Sequence, residues 1–114
     1  MRAFIRVGSF HWVIVDQIED PETSYLLAEG ECFNLFGLSN EQYEFKIIRI
    51  EPATVEIEIT GSYLVLVNEE KCVGDGQIFN KIHLKTGESR KLATPTLDAG
   101  IVWDIRLEEI INNE

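Results

Sequence analysis

Residues 55–60 alternate apolar and polar side chains without interruption, and this pattern constrains the fold more than any other feature of the chain. Successive side chains of a β-strand point to opposite faces, so a period of two predicts a strand with one face in the core and one in water. Pro52 precedes the segment and Gly61 follows it, and both residue types are typical of turns. The chain is therefore expected to form a sheet that is wet on one side.

The segment before this strand predicts a β-hairpin with one irregularity. The alternation of residues 43–50 changes phase at Ile47 and Ile48, which a β-bulge would produce. The turn of the hairpin would be residues 51–54. A helix competes for part of the segment, because residues 39–42 have the form of a capping box. The aromatic and isoleucine side chains that follow favour a strand, with at most one helical turn near residues 39–42.

Further segments have the composition of short strands, and turn residues separate them. Gly8 with Ser9 and Asp20 with Pro21 are among the predicted turns. Short strands at roughly 8–12-residue spacing are typical of an antiparallel sandwich or a partly open barrel, here of about eight strands. The length fits one domain over residues 1–114. The additional predicted strands are residues 3–7, 10–17, 24–28, 31–36, 63–67, 79–85, 89–93 and 101–107.

The C-terminal residues fit a short helical turn as well as a strand. Leu107, Ile110 and Ile111 would share one face of a helix at this spacing. The predicted fold class is therefore all-β, with a C-terminal helical turn as an option.

One late segment resembles a pattern found in immunoglobulin-like domains. Residues 84–92, followed by residues 103–107, are similar to the late hairpin of many such domains. The resemblance is one of pattern and assigns no role to any residue.

Three predicted strands are apolar on both faces, namely residues 10–15, 63–67 and 101–103. A two-layer sandwich should expose one face of each strand to water, so barrel closure, a terminal helix or another chain must cover these segments. Monomers rarely expose large apolar patches, and two-fold dimers commonly bury them. We therefore expect a homodimer or another protein partner. The patch that would form the interface consists of Val13, Val15, Leu64 and Leu66.

The charge and cysteine content restrict the partners and the compartment. The formal net charge of -10 disfavours nucleic acids and anionic membranes as partners, because both repel an acidic chain. No apolar run approaches the ~18 residues of a membrane span. Two cysteines, Cys32 and Cys72, are too few for a disulfide framework, and we expect both to be reduced in a cytoplasmic protein. Burial as small hydrophobic side chains is the simplest role for them.

The segment with the most distinctive charge is basic. Lys81, His83 and Lys85 alternate with apolar residues and should project from one strand face, and Lys91 follows after a turn. These side chains either pair with an acidic neighbouring strand, such as the one carrying Glu56 and Glu58, or form a strip that binds an acidic partner or anionic group. Trp12 and Trp103 are candidates for stacking on a ligand. The candidate partner-binding residues are Lys81, His83, Lys85, Lys91, Trp12 and Trp103.

The sequence contains no recognisable catalytic, phosphate-binding or dinucleotide-binding motif, and its histidines and cysteines have no metal-ligand spacing. We therefore predict no catalytic residue, no cofactor and no metal. The function predicted first is a non-enzymatic protein-interaction or assembly domain. The alternative is a ligand-binding β-sandwich for a carbohydrate-like or anionic group, and a small β-barrel enzyme comes third.

Overall fold

The computed structural model describes residues 1–13, 16–38, 40–62, 65–66, 81–94 and 99–112, with only the backbone at 65–66. Within these segments the regular structure is entirely β, so the all-β prediction is confirmed. No helix in this part of the chain has the length and apolar character needed to cross a membrane. The strands are β1 (Arg2–Val13), β2 (Asp16–Leu27), β3 (Cys32–Phe36), β4 (Gln42–Ile50), β5 (Thr54–Gly61), β6 (Val65–Leu66), β7 (Lys81–Lys85), β8 (Ser89–Ala93) and β9 (Ala99–Ile111).

The strands form two open antiparallel sheets. Sheet A has the order β2-β1-β9-β8-β6, and sheet B has the order β3-β4-β5-β7. The chain changes sheet after β2, β5, β6 and β7. Because each sheet contributes one apolar face to a shared core, the architecture is the sandwich rather than the partly open barrel.

The core lies between the sheets and is built by the alternation seen in the sequence. Val55, Ile57 and Ile59 are buried, whereas the residues between them are not. Aromatic side chains connect the layers. Tyr25 of sheet A stacks on Phe33 of sheet B with ring centroids 4.5 Å apart, and the ring of Tyr43 meets Trp103 edge-on at 5.4 Å.

The hairpin of β4 and β5 confirms the predicted bulge. The pairing register shifts between Ile47 and Arg49. Ile47 and Ile50 are both buried as a result, while Ile48 is 37% exposed. Residues 40–42 are not helical, so the alternative of a helical turn fails in the described part of that segment.

The C-terminal helical turn is not formed, because β9 continues as a strand to Ile111. Ile5 pairs with Leu107 and Phe4 with Glu109, which leaves Glu108 as the extra residue of a bulge. Leu107 is buried, and Ile110 also packs against the core. The bulge therefore creates the three-residue spacing of apolar side chains that resembled a helical face.

Two predicted turns lie inside long strands. β1 runs through Gly8 and Ser9, and β2 runs through Asp20 and Pro21. Val7 pairs with Thr23 and Ser9 with Asp20, so β2 has one more residue than β1 between these pairs. A proline without an N–H group is tolerated here because β2 is an edge strand and the position is a bulge.

Within the described residues, sheet A extends beyond sheet B at one end. Its strands β1, β2 and β9 have 12, 12 and 13 residues, whereas β3 and β7 of sheet B have 5 each. Ser9 of β1 pairs with Trp103 of β9. Beyond this pair β1 continues over residues 10–13, a strand length of about 13 Å. The molecule measures 49 × 27 × 25 Å. We call residues 9–13, 16–20 and 99–102 the overhang.

Candidate functional site

The predicted basic face lies on the outer side of sheet B. Lys81, His83 and Lys85 are exposed along β7, while Ile82 and Leu84 point into the core. The prediction that the three basic side chains share one strand face is confirmed. β7 is the edge strand of this sheet among the described residues.

Acidic residues of the neighbouring strand β5 lie beside this basic face. Lys81 is directly opposite Glu58, and His83 is opposite Glu56. The ammonium Nζ of Lys81 lies 3.7 Å from Oε1 of Glu56. Lys85 has Thr54 as its cross-strand partner. The geometry therefore favours pairing within the protein, the first of the two interpretations of the basic segment.

His83 and Glu56 also line a shallow polar depression with Arg49, Glu51 and Thr54. The guanidinium of Arg49 lies 3.5 Å from Glu51, so charges of both signs meet on this surface. No group of three or more His, Cys, Asp or Glu side chains converges as a metal site in the described segments. The depression is a surface of mixed charge with no arrangement for nucleophilic chemistry.

Lys91 does not belong to the same surface. It lies on β8 in sheet A, opposite Asp104 of β9, whereas the other three basic residues lie on sheet B. The chain crosses between the sheets at the turn between Lys85 and Ser89. Grouping Lys91 with the strip was therefore wrong, and residues 84–92 do not form a hairpin within one sheet. The strand that pairs with β8 over residues 102–106 is β9.

The two tryptophans occupy different environments. Trp103 is only 4% exposed and packs against Tyr43, so it stabilises the core and has no face for a ligand. Trp12 is half-buried on the outer side of the overhang, opposite Gln17 and Gly100. Of this pair, Trp12 alone lies where a partner could reach it.

One side of sheet A faces the core over most of its length. In the overhang, the same side exposes apolar side chains. Val7, Ser9, His11 and Val13 lie on this side of β1, because the pairing of β1 with β9 has no irregularity over these residues. Val13 is 48% exposed, and Ile18, opposite His11 on β2, is 52% exposed. Sequence reasoning missed Ile18, because its acidic neighbours indicated a loop. The sequence signal was a single isoleucine between Gln17 and Glu19.

A polar cluster lies beside these apolar residues. The Nδ1 atom of His11 is 2.9 Å from Oδ1 of Asp20, and the hydroxyl of Ser9 donates to Oδ2 of Asp20 at 3.2 Å. A catalytic triad needs the imidazole between the serine and the carboxylate. Here the carboxylate lies between the other two groups, so the cluster joins β1 to β2 and does not activate the serine.

The outer side of sheet A carries a network of ion pairs. Arg6 and Arg106 lie directly opposite each other on β1 and β9. Glu108 is 3.7 Å from Arg6 and 3.4 Å from Arg106, and Glu22 is 3.5 Å from Arg6. The acidic side chains offset the repulsion between the two arginines. Exposed pairs of this kind contribute little each, about 0–1 kcal/mol.

A buried phenol lies at the end of sheet B nearest the overhang. Burial, with a smaller contribution from the carboxylate of Glu41, raises the pKa of Tyr43 to about 12. Both carboxylate oxygens of Glu41 are buried, and none of the described residues donates a hydrogen bond to them. This end of the core therefore holds a phenol that resists ionisation.

Several predicted residues lie outside the described segments. Val15, Leu64 and Cys72 are among them, and only the backbone is described at Leu66. Of the predicted interface patch, the structure therefore places the side chain of Val13. Cys32 is a free and exposed thiol on the outer side of β3, opposite Lys46, so the expectation of burial was wrong for this residue.

Comparisons of the chain with protein-family models, curated proteins and solved structures found no match.

Proposed function

We propose that this protein is a non-enzymatic protein-interaction and assembly domain that pairs with a second copy of itself through the core-facing side of the overhang. The observation that carries the proposal is the exposure of Val13 and Ile18 on a sheet face that is buried elsewhere in the molecule. Side chains on the continuous part of this face, such as Ile5 and Ile105, are fully buried. A second overhang would replace the layer that sheet B supplies to the rest of sheet A.

Physical chemistry supports a two-fold arrangement. A face that meets its own copy needs only one kind of surface, and closed two-fold dimers are the commonest soluble oligomers. Apolar area removed from water contributes about 25 cal/mol per Å². The acidic residues Asp16 and Asp20 share this face and oppose the contact, although salt screens exposed charges beyond ~8 Å. The proposal includes a cytoplasmic location, which is supported by the cysteine content of the sequence.

A ligand-binding module is the second candidate. Trp12 supports it, because a half-buried indole on the outer side of a sheet can stack on a sugar or another flat group. The burial of Trp103 removes the other proposed stacking residue. This candidate predicts that changes at Trp12, rather than at Ile18, abolish binding.

Two matched variants test the proposal. Ile18→Lys places a charge on the core-facing side of the overhang, and Leu26→Lys places the same charge on the outer side of the same strand, at 40% exposure. Sedimentation velocity should show self-association of the natural chain and of Leu26→Lys, and its loss in Ile18→Lys. Equal self-association in both variants would place the interface elsewhere. Circular dichroism confirms that each variant is folded.

A further inference from the structure

The edge of β2 has the properties of a docking site for an added strand. Among the strands that the structure describes, β2 is the outermost of sheet A, and nine of its 12 residues are exposed. An edge strand presents backbone N–H and C=O groups at alternate residues, which can pair with an extended segment of another chain. The useful length is residues 16–20, because Pro21 lacks an N–H group and the bulge interrupts the register there.

The negative charge of this edge favours a basic partner. β2 contains Asp16, Glu19, Asp20 and Glu22 and no lysine or arginine. Asp20 contacts His11, and Glu22 contacts Arg6. Asp16 and Glu19 form no ion pair within the described part of the chain. A second copy of β2 would bring acid against acid, which disfavours edge pairing between identical chains.

On the core-facing side of the sheet, β2 carries acidic and apolar side chains in alternation. Asp16, Ile18 and Asp20 alternate along this face, while Gln17 and Glu19 lie on the other. Side chains directly across two neighbouring strands interact, so the complementary strand carries a basic, an apolar and a basic residue at alternate positions. Ile18 at the centre of this stretch is 52% exposed, so the described strands of sheet B do not cover it.

We propose that the edge of β2 over residues 16–20 binds an extended basic segment of another protein as an additional strand. The segment has lysine or arginine alternating with a β-branched residue on one face. Its backbone supplies the hydrogen bonds, and its basic side chains face Asp16 and Asp20. The inference does not rest on the self-association proposed above, because it uses the backbone edge of β2 and a partner of opposite charge.

The test uses a capped seven-residue peptide with the sequence Thr-Lys-Thr-Val-Thr-Lys-Thr, so that the two lysines and the valine share one face of a strand. Titrated into ¹⁵N-labelled full-length protein, it should shift the amide resonances of residues 16–20 and slow their hydrogen exchange. Binding should weaken as salt increases. A control peptide with glutamate in place of lysine should not bind. A third peptide keeps the lysines but carries N-methyl groups at alternate positions, which removes the backbone donors, and it should also fail to bind.

Charge variants of the protein complete the test. The variant Asp16→Asn should lower the affinity for the basic peptide about threefold. The control Glu44→Gln makes the same change of net charge on β4 of sheet B and should bind as the natural chain does. Absence of binding at millimolar peptide, or equal binding of the N-methylated peptide, would overturn the inference. Sedimentation of the same proteins reports self-association separately, so failure of one proposal is distinguishable from failure of the other.

Discussion

The Nδ1 atom of His11 lies 2.9 Å from Oδ1 of Asp20, and this contact joins the two strands of the overhang beside the bulge of β2. Ser9 donates to the other oxygen of the same carboxylate. Asp20 therefore holds two residues of β1 through one side chain. Val13 and Ile18 of the overhang are 48% and 52% exposed, so side-chain contacts of this kind contribute a larger share of its stability than they would in the core.

Removing Asp20 should destabilise the protein more than removing its exposed neighbour. Asp20→Ala eliminates two hydrogen bonds of a partly buried carboxylate and should lower the free energy of unfolding by about 1–3 kcal/mol. Glu19→Ala should change it by less than about 0.5 kcal/mol. Urea denaturation measures both. A double-mutant cycle with His11→Ala should give a coupling energy near 1 kcal/mol, and a coupling of zero would contradict the contact.

Two isoleucines two positions apart provide a sharp test of the β4 bulge. Ile48 and Ile50 would lie on one face of a regular strand, but the bulge leaves Ile48 37% exposed and Ile50 only 4% exposed. Ile50→Ala should lower the free energy of unfolding by about 2–5 kcal/mol, whereas Ile48→Ala should lower it by less than about 1 kcal/mol. Similar losses at both positions would mean that the strand has a different register.

Much of the fold could be predicted from side-chain periodicity, and the errors share a cause. The bulge at Ile47 was evident because a clear alternation flanks it on both sides. The bulge at Glu108 produced a spacing of Leu107 and Ile110 that also fits a helix, and local sequence cannot separate the two. The turn residues Gly8 and Pro21 lie within paired strands at the irregularity between β1 and β2, and Pro21 is accommodated because it lies in a bulge of the edge strand β2. In each case the deciding interaction is with a strand distant in sequence.

The alkaline stability of the protein should depend on Tyr43. Its pKa is raised to about 12 in the folded protein from 10.0, so the unfolded chain loses this proton first as the pH rises. The contribution of Tyr43 is complete below pH 10 and falls between pH 10 and about 12, by about 3 kcal/mol in total. Unfolding measured against pH should show this loss, and Tyr43→Phe should remove it. An unchanged pH profile in the variant would contradict the assignment.

On the basic face of β7, Lys81 should contribute more to stability than Lys85. Changing Lys81 and Lys85 together to Glu should lower the free energy of unfolding by about 1 kcal/mol. Of the single changes, Lys81→Glu should have the larger effect, because Lys81 faces Glu58 and Glu56, whereas Lys85 faces Thr54. Thermal denaturation of the three variants measures this. Unchanged stability with loss of an anionic partner would favour the binding interpretation instead.

The candidate surface was less predictable than the fold. The acidic character of residues 16–22 is plain in the sequence, but it indicated a solvated turn. Its position in an edge strand follows from the order of the described strands of sheet A, which depends on the pairing of β1 with β2 and with β9. The exposure of Ile18 accompanies the shorter described strands of sheet B, β3 and β7, which belong to later parts of the chain. The strip of Lys81, His83 and Lys85 was recognisable because one strand carries all three residues.

The solution mass of the natural chain tests the central claim most directly, namely that the overhang is a surface for protein assembly. Sedimentation equilibrium at micromolar concentration and physiological salt should give a mass near twice 13.0 kDa. Dilution should return the protein to the monomer, since mass action governs the association. A mass that stays at 13.0 kDa across the concentration range would contradict self-association through Val13 and Ile18.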